Sequence, residues 1–158
     1  MDSTAPLTAS EETAWRALTY VVNHLVKTLS DDLANQAPVS LSEYVVLVHL
    51  SEVDQQQLRI GTLAATCGLS PSRMSRLVDT MERRGLLTKT RTSDDARCAF
   101  ATLSPSGRAA LEASYPTQLR NIRRRVFDGL SADEVRVLGV GLGKIRDRLD
   151  GPIRSITP

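Results

Sequence analysis

Three arginines stand out for the chemistry they can do. Arg73 and Arg76 lie three residues apart in SPSRMSRLVDTMERRG, and Arg97 follows Asp94 and Asp95 in TSDDARCAF. A guanidinium is a planar fork of donors that fits a phosphate or the edge of guanine. Two of them at this spacing share one face of a helix. A single arginine at the tip of a turn suits a narrow, negatively charged minor groove. Ser70, Ser72 and Ser75 stand among the first two arginines, and their hydroxyls can donate to phosphate or base. Ser70 also reads as a helix cap. The plain alternatives are a solvated helix face and a surface ion pair of Arg97 with Asp94 or Asp95, which is worth little alone. Both roles of Arg97 can coexist, because Asp95 can orient the guanidinium. Arg73 is the better base reader and Arg76 the better phosphate contact.

Other clusters carry less. GVGLGK at 139–144 fails as a phosphate loop, because Leu138 stands where a glycine is needed and Ile145 where Ser or Thr should follow Lys144. Its small residues suit close helix packing at a dimer seam. His24 and His49 are isolated, and Cys67 and Cys98 form no CxxC, so no metal site, cofactor site or catalytic set is expected. Free thiols are expected of both cysteines. Arg120, Arg123, Arg124 and Arg125 read first as a solvated helix face, with an inter-subunit ion pair or an anion site as the alternatives. Trp15, Tyr20 and Tyr44 are candidates for an effector pocket, against the commoner reading of aromatic residues as core.

The elements that position these residues are legible from periodicity. Trp15, Leu18, Val22, Leu25, Leu29 and Leu33 give a long amphipathic helix over 10–34, capped by Thr8 and Glu11. Ser40 and Glu43 open a second helix over Tyr44–Leu50, apolar on nearly all sides and therefore central. SEVDQQQ reads as a polar connector. Ile60, Leu63 and Ala64 mark a short helix closed near Gly68. Ser70 and Pro71 start the next helix, Met74, Leu77, Val78 and Met81 form its buried stripe, and Gly85 ends it. Leu86–Arg91 and Cys98–Leu103 read as strands. Ser104-Pro105 opens a helix whose pattern Pro116 interrupts, predicting a kink or a boundary. Ser131 and Glu134 cap a last helix with a stripe of Val135, Leu138, Leu142, Ile145 and Leu149. The order is α-α-α-α-β-β-α-α. The outer stripes need a partner, and a second copy is the simplest one.

Composition agrees. At 158 residues, 41% hydrophobic and 24% charged, one globular domain is expected. No apolar run approaches the roughly 20 residues of a membrane span, and MDSTAPLTASEE lacks the regions of a signal peptide, so a cytoplasmic protein is expected. Net charge is only +2, but residues 1–58 hold 2 basic and 8 acidic groups while residues 59–97 hold 8 and 4. The acidic first third should face away from DNA and the middle toward it.

The run from Ser40 to Gly107 resembles the MarR family of winged helix-turn-helix regulators. The matching pieces are VSLSEYVVLVHL, LAATCGLSPSRMSRLVDTMERRGLL and DDARCAFATLSPSG, with Asp95, Arg97, Leu103, Ser104 and Gly107 in the places of the wing signature. The resemblance implies a mainly α chain with a small β-wing, folded as an intertwined homodimer. It implies one domain over 1–158, with dimerisation helices at 10–36 and 104–150 and a DNA-binding lobe at 40–103. It further implies a dimer on a near-palindromic operator, repression, and release by a small aromatic or anionic effector. Ala96 stands where a second wing arginine is common, so minor-groove contact should lean on Arg97. A winged helix that binds protein instead of DNA is the rival, and Arg73, Arg76 and Arg97 argue against it. Repressor or activator turns on where the operator lies.

Overall fold

The computed structural model describes residues 5–149 except 93 and 94; for 91, 92 and 95–98 it describes the backbone alone. Six α-helices are α1 (Ala9–Ala34), α2 (Leu41–Ser51), α3 (Ile60–Thr66), α4 (Pro71–Arg83), α5 (Pro105–Ile122) and α6 (Ala132–Leu149). Three strands are β1 (Gln57–Arg59), β2 (Leu87–Thr92) and β3 (Asp95–Leu103). They form one antiparallel sheet with β3 in the middle. The chain is thus mainly helical with a small wing.

The expected caps form. Thr8 with Glu11, Ser40 with Glu43 and Ser131 with Glu134 each make reciprocal capping bonds, while Ser70 and Ser104 accept from the backbone N–H of Arg73 and Gly107. Each satisfies donors that the first helical turn leaves orphaned.

Three features differ from the sequence expectation. The polar connector holds a 3-10 turn at Asp54–Gln56 and then β1, whose Gln57, Leu58 and Arg59 pair with Thr102, Ala101 and Phe100. Pro116 is not a boundary, for α5 runs through it to Ile122. Pro116 and Glu112, whose carbonyl loses its helical partner there, both lie on the exposed side, where water can replace the missing N–H. Beyond α5 a π-helical turn spans Arg123–Phe127, and the Asp128 N–H reaches the Arg123 carbonyl.

The core gathers Leu33 from the end of α1, Val46, Leu47 and Leu50 from α2, Leu63 from α3 and Met74, Val78 and Met81 from α4. Leu86, Leu87, Ala101, Leu103 and Leu111 complete it. By contrast, no residue of α6 is buried, and Trp15, Tyr20 and Val22 of α1 are exposed. An apolar groove of about 1050 Å³ runs between α1 and α6, lined by Trp15, Leu18, Leu25, Leu138, Leu142 and Ile145.

Gly107 fixes how α5 enters the core. A Cβ there would sit 1.9 Å from the Leu86 carbonyl oxygen and 2.9 Å from the Leu103 side chain. The backbone of α5 therefore touches the chain just after α4 with no room for a methyl group. Gly107→Ala should lower stability by about 1–3 kcal/mol, the ordinary cost of overpacking. Urea denaturation should show this as a lower midpoint with an unchanged slope.

Candidate nucleic-acid interface

Helix α4 is presented by the two turns that flank it. Gly68 and Gly85 adopt φ of +63° and +71°, conformations that suit glycine. Each closes a helix with the same pair of bonds. Leu69 N–H reaches the Ala64 carbonyl and Gly68 N–H that of Ala65; Leu86 N–H reaches Met81 and Gly85 N–H reaches Glu82. The short α3 and the longer α4 thus form a helix-turn-helix, with Ser70 and Pro71 starting the second helix.

Burial of Met74, Val78 and Met81 turns the opposite side of α4 outward. Ser72, Arg73, Arg76, Asp79 and Arg83 lie on that exposed side, and Ser75 is half-buried. Ser70 is exposed, but its Oγ is committed to the cap and lies 3.3 Å from the Ser72 Oγ.

The four arginines from 73 to 84 divide into two pairs. Among the described residues, neither Arg73 nor Arg76 places its guanidinium in an ion pair or hydrogen bond. Arg83 instead donates to the Asp79 carbonyl at 3.3 Å and the Thr80 hydroxyl at 2.9 Å. Arg84 donates to Glu43 Oε1 at 2.5 Å and the Pro38 carbonyl at 2.7 Å. The two free guanidinium groups are the two at the start of the helix.

The wing is fastened to α4 by contacts that the sequence reading missed. Pleat alternation puts Lys89 on the same face as the buried Leu87, toward α4. Its ammonium lies 2.6 Å from Asp79 Oδ1, and its backbone N–H donates to Glu82 Oε1 at 2.9 Å. Asp79, on the exposed side of α4, therefore anchors a strand. On the other edge of the sheet, the Arg59 guanidinium lies 5.6 Å from the Phe100 ring centre. β2 and β3 pair out to Thr92 and Asp95, with an irregularity at Arg91 and Thr92. The side chains of Asp95, Arg97 and Cys98, and the Arg97 pairing with Asp94 or Asp95, lie outside the described residues.

Two acid–base contacts join elements distant in the sequence. Glu43 is 5% exposed. Burial pushes its carboxyl up, but hydrogen bonds from Arg84 and Ser40 outweigh this and leave it below the usual glutamate value. At the end of α1, Asp32 pairs with Arg125 at 2.7 Å and Arg124 at 3.0 Å. The Arg125 hydrogen bond, against opposing desolvation and with help from Arg124, holds Asp32 down to about 2. Arg120, Arg123, Arg124 and Arg125 are all exposed, as expected of a solvated face, and Arg124 and Arg125 are in addition joined to α1 of the same chain. Arg120 donates to the Thr117 hydroxyl.

The aromatic candidates are not brought together. Trp15 and Tyr20 line the groove between α1 and α6, with Tyr20 stacked on His24 at 4.1 Å. Tyr44 is buried and lines a separate cavity between α2 and α5. Cys67 is a free, half-buried thiol, and burial pushes its pKa up. Among the described residues, no helix is long and apolar enough to cross a membrane.

A helix-turn-helix with an exposed second helix and a three-stranded wing defines a winged helix-turn-helix protein of the kind that regulates transcription. A MarR family model matches residues 37–97. AbsC, a MarR family transcriptional regulator from Streptomyces coelicolor, is 30% identical, with a TM-score of 0.81 over 94% of this chain and 99% of that one. The chain belongs to the MarR family. Sco3205, a MarR family regulator from the same organism solved in complex with DNA, is 27% identical, with a TM-score of 0.85 over 99% of this chain and 98% of that one. The transcriptional repressor MprA of Escherichia coli is 25% identical over 107 residues, 68% of this chain and 60% of that protein. The chain spans 50% of the length of YwaE, an HTH-type transcriptional regulator of Bacillus subtilis to which it is 28% identical over 87 residues, and 60% of that of MprA. Homologues and fold are those of regulators, not of enzymes.

Replacing Arg84 with methionine would leave the Glu43 carboxylate buried without its cation. Because Arg84 itself is partly exposed, the loss should be about 2 kcal/mol, below the range for a fully buried pair. Glu43 has a lowered folded pKa, so its stabilisation is fully present above the unfolded value of about 4.3 and is lost as pH falls through the folded value. The stability gap between wild type and Arg84→Met in urea denaturation should therefore be full at neutral pH and shrink below that value.

Proposed function

We propose that this chain is a sequence-specific DNA-binding transcriptional regulator, a ligand-responsive repressor that works as a homodimer on a near-palindromic operator in the cytoplasm. One observation carries the reading: Arg73 and Arg76 project from the start of α4 without a partner among the described residues, while Arg83 and Arg84 are committed. A free guanidinium at the start of a helix beside a wing can meet phosphate or a guanine edge. The DNA complex of Sco3205 and the repressor role of MprA support the same reading.

Dimerisation is supported by the uncovered stripes. Leu138, Leu142, Ile145 and Leu149 are exposed, as are Trp15 and Val21 on the facing side of the groove. A continuous apolar surface of this kind calls for a cover, and a second copy supplies an equal one. Sedimentation at micromolar concentration should show one species near twice the chain mass, and a stable folded monomer would overturn the dimer. Leu142→Asp should dissociate or unfold it, because burying an unpaired charge costs several kcal/mol.

In the proposed complex, Arg73 reads a base, Arg76 holds phosphate and Arg97 enters the minor groove. Footprinting of the intergenic DNA beside the protein's own gene tests the operator. On randomised operators, Arg73→Ala should cost about 1–3 kcal/mol and relax preference at one base pair per half-site. Arg76→Ala should weaken all sequences alike and reduce the salt slope by about one. Arg97→Ala should weaken binding chiefly through A·T-rich flanks. Unchanged binding in all three variants would misplace the surface.

A further inference from the structure

The outward face of the sheet carries an arginine that no role so far explains. Register puts Leu87, Ala101 and Leu103 on the core side. Pleat alternation then puts Gln57, Arg59, Thr88, Thr90, Phe100 and Thr102 on the other. None of them is acidic. Gln57 Nε2 donates to the Thr102 hydroxyl at 2.9 Å, so that pair is closed. Arg59, Thr88 and Thr90 are exposed, and Phe100 is half-buried.

The Arg59 guanidinium lies 5.6 Å from the centre of the Phe100 ring, inside the roughly 6 Å over which an aromatic face attracts a cation. Among the described residues it makes no ion pair and no side-chain hydrogen bond. The ring supplies no oxygen acceptor, so the planar fork of donors stays available. An arginine held in this way is steered without being satisfied, and an anion is what it can still take.

Its position says which anion. Arg59 is the last residue of β1 and, of the three, the one paired nearest the wing tip. Arg97 lies three residues along β3 from Phe100, no more than about 11 Å of chain. Arg59 also immediately precedes α3, the first helix of the helix-turn-helix. When such a motif docks, the second helix fills the groove and the first crosses the DNA backbone. The wing on one side and α3 on the other thus both lead from Arg59 to the phosphates.

We propose that Arg59, steered by Phe100, is a phosphate clamp, a DNA-backbone contact from the edge of the sheet in addition to those of α4 and the wing tip. This rests on the regulator reading above. The clamp fixes the seating of the lobe and carries no base preference, because phosphate contacts position without specifying sequence. Phe100 is a positioning residue: a long side chain already held in place has less ordering left to do on binding.

The test measures binding of the full chain to operators selected from a randomised pool, by fluorescence anisotropy at several salt concentrations, with Arg76→Ala as the reference. Arg59→Gln should weaken binding about tenfold on all sequences alike and reduce the salt slope by about one unit for each bound subunit. Arg59→Lys should keep the slope. Phe100→Leu should weaken binding about threefold, and should have no further effect in the Arg59→Gln background. Phe100→Tyr, which keeps the ring, should bind as the unsubstituted chain does. The Arg59 side chain makes no cap on α3, so glutamine there leaves the helix start unchanged, and urea denaturation checks this. A lowered urea midpoint with unchanged affinity and slope would mean that the pair only fastens β1 to β3, and would overturn the proposal. A Phe100→Leu effect that persists without Arg59 would overturn the positioning role. If Arg76→Ala loses its unit of slope while Arg59→Gln keeps it, this proposal falls and the regulator reading stands. If the unsubstituted chain binds no operator, both fall.

Discussion

The structure depends most on the joint at residues 84–86, where α4 ends. Arg84 reaches back to the buried Glu43 and to the Pro38 carbonyl, Gly85 supplies the left-handed turn, and Leu86 enters the core with its carbonyl against Gly107. Three elements meet there: the start of α2, the end of α4 and the start of α5. None of them can shift alone. Moving α5 drives Gly107 into the Leu86 carbonyl, and moving α2 strips a desolvated carboxylate of its cation, which is costly in a low-dielectric setting. The orientation of α4 is thereby set at its C-terminal end, and the anchorage of Lys89 by Asp79 and Glu82 carries the same constraint into the wing.

This joint also sorts the charges. Arginine at 84 is spent on structure and arginine at 83 on its own helix, so the uncommitted positive charge of α4 is concentrated at Arg73 and Arg76. The acidic groups of the first third are distributed along α1 and around α2, where Glu43 and Asp32 are already paired with arginines of the same chain. A chain with a net charge of only +2 can thus present a basic surface where α4 begins. The free arginines come with the rigid end of α4 already fixed, so little side-chain or backbone ordering of the lobe remains to be done on contact.

What could be read from the sequence follows from the range of the interactions. Caps and glycine stops act within about four residues, so Thr8, Ser40, Ser70, Gly85 and Ser131 announce themselves. The buried stripe of α4 is equally local, and it left Arg73 and Arg76 outward as expected. β1 escaped because a three-residue strand has no pattern of its own; Gln57 and Arg59 are strand only because Thr102 and Phe100 lie opposite. The pairings of Asp32 with Arg124 and Arg125, Glu43 with Arg84 and Asp79 with Lys89 were hidden for the same reason. Each joins residues whose meeting is a property of the packed chain. Asp79 looked like a solvated charge because periodicity says which face a residue occupies and nothing about what approaches that face. The separation of Tyr44 from Trp15 and Tyr20 is likewise invisible until the helices are packed, for they line different cavities.

The distribution of burial divides the molecule into two mechanical parts. The core runs from Leu33 to Leu111 and encloses α2, α3, α4 and the sheet, while α6 contributes no buried residue. The lobe therefore owes its shape to its own packing. The outer helices owe theirs to whatever covers the α1–α6 groove. In the proposed dimer, the second copy completes the outer helices without touching the core that orients α4. The spacing between two reading helices is then set by the outer helices and by the α2–α5 contact that connects them to the lobe. Met74, Val78 and Met81 are buried by the lobe's own elements and lie outside that contact. Ligand response in such an arrangement needs only a difference in affinity between two spacings, not the unfolding of a reading lobe.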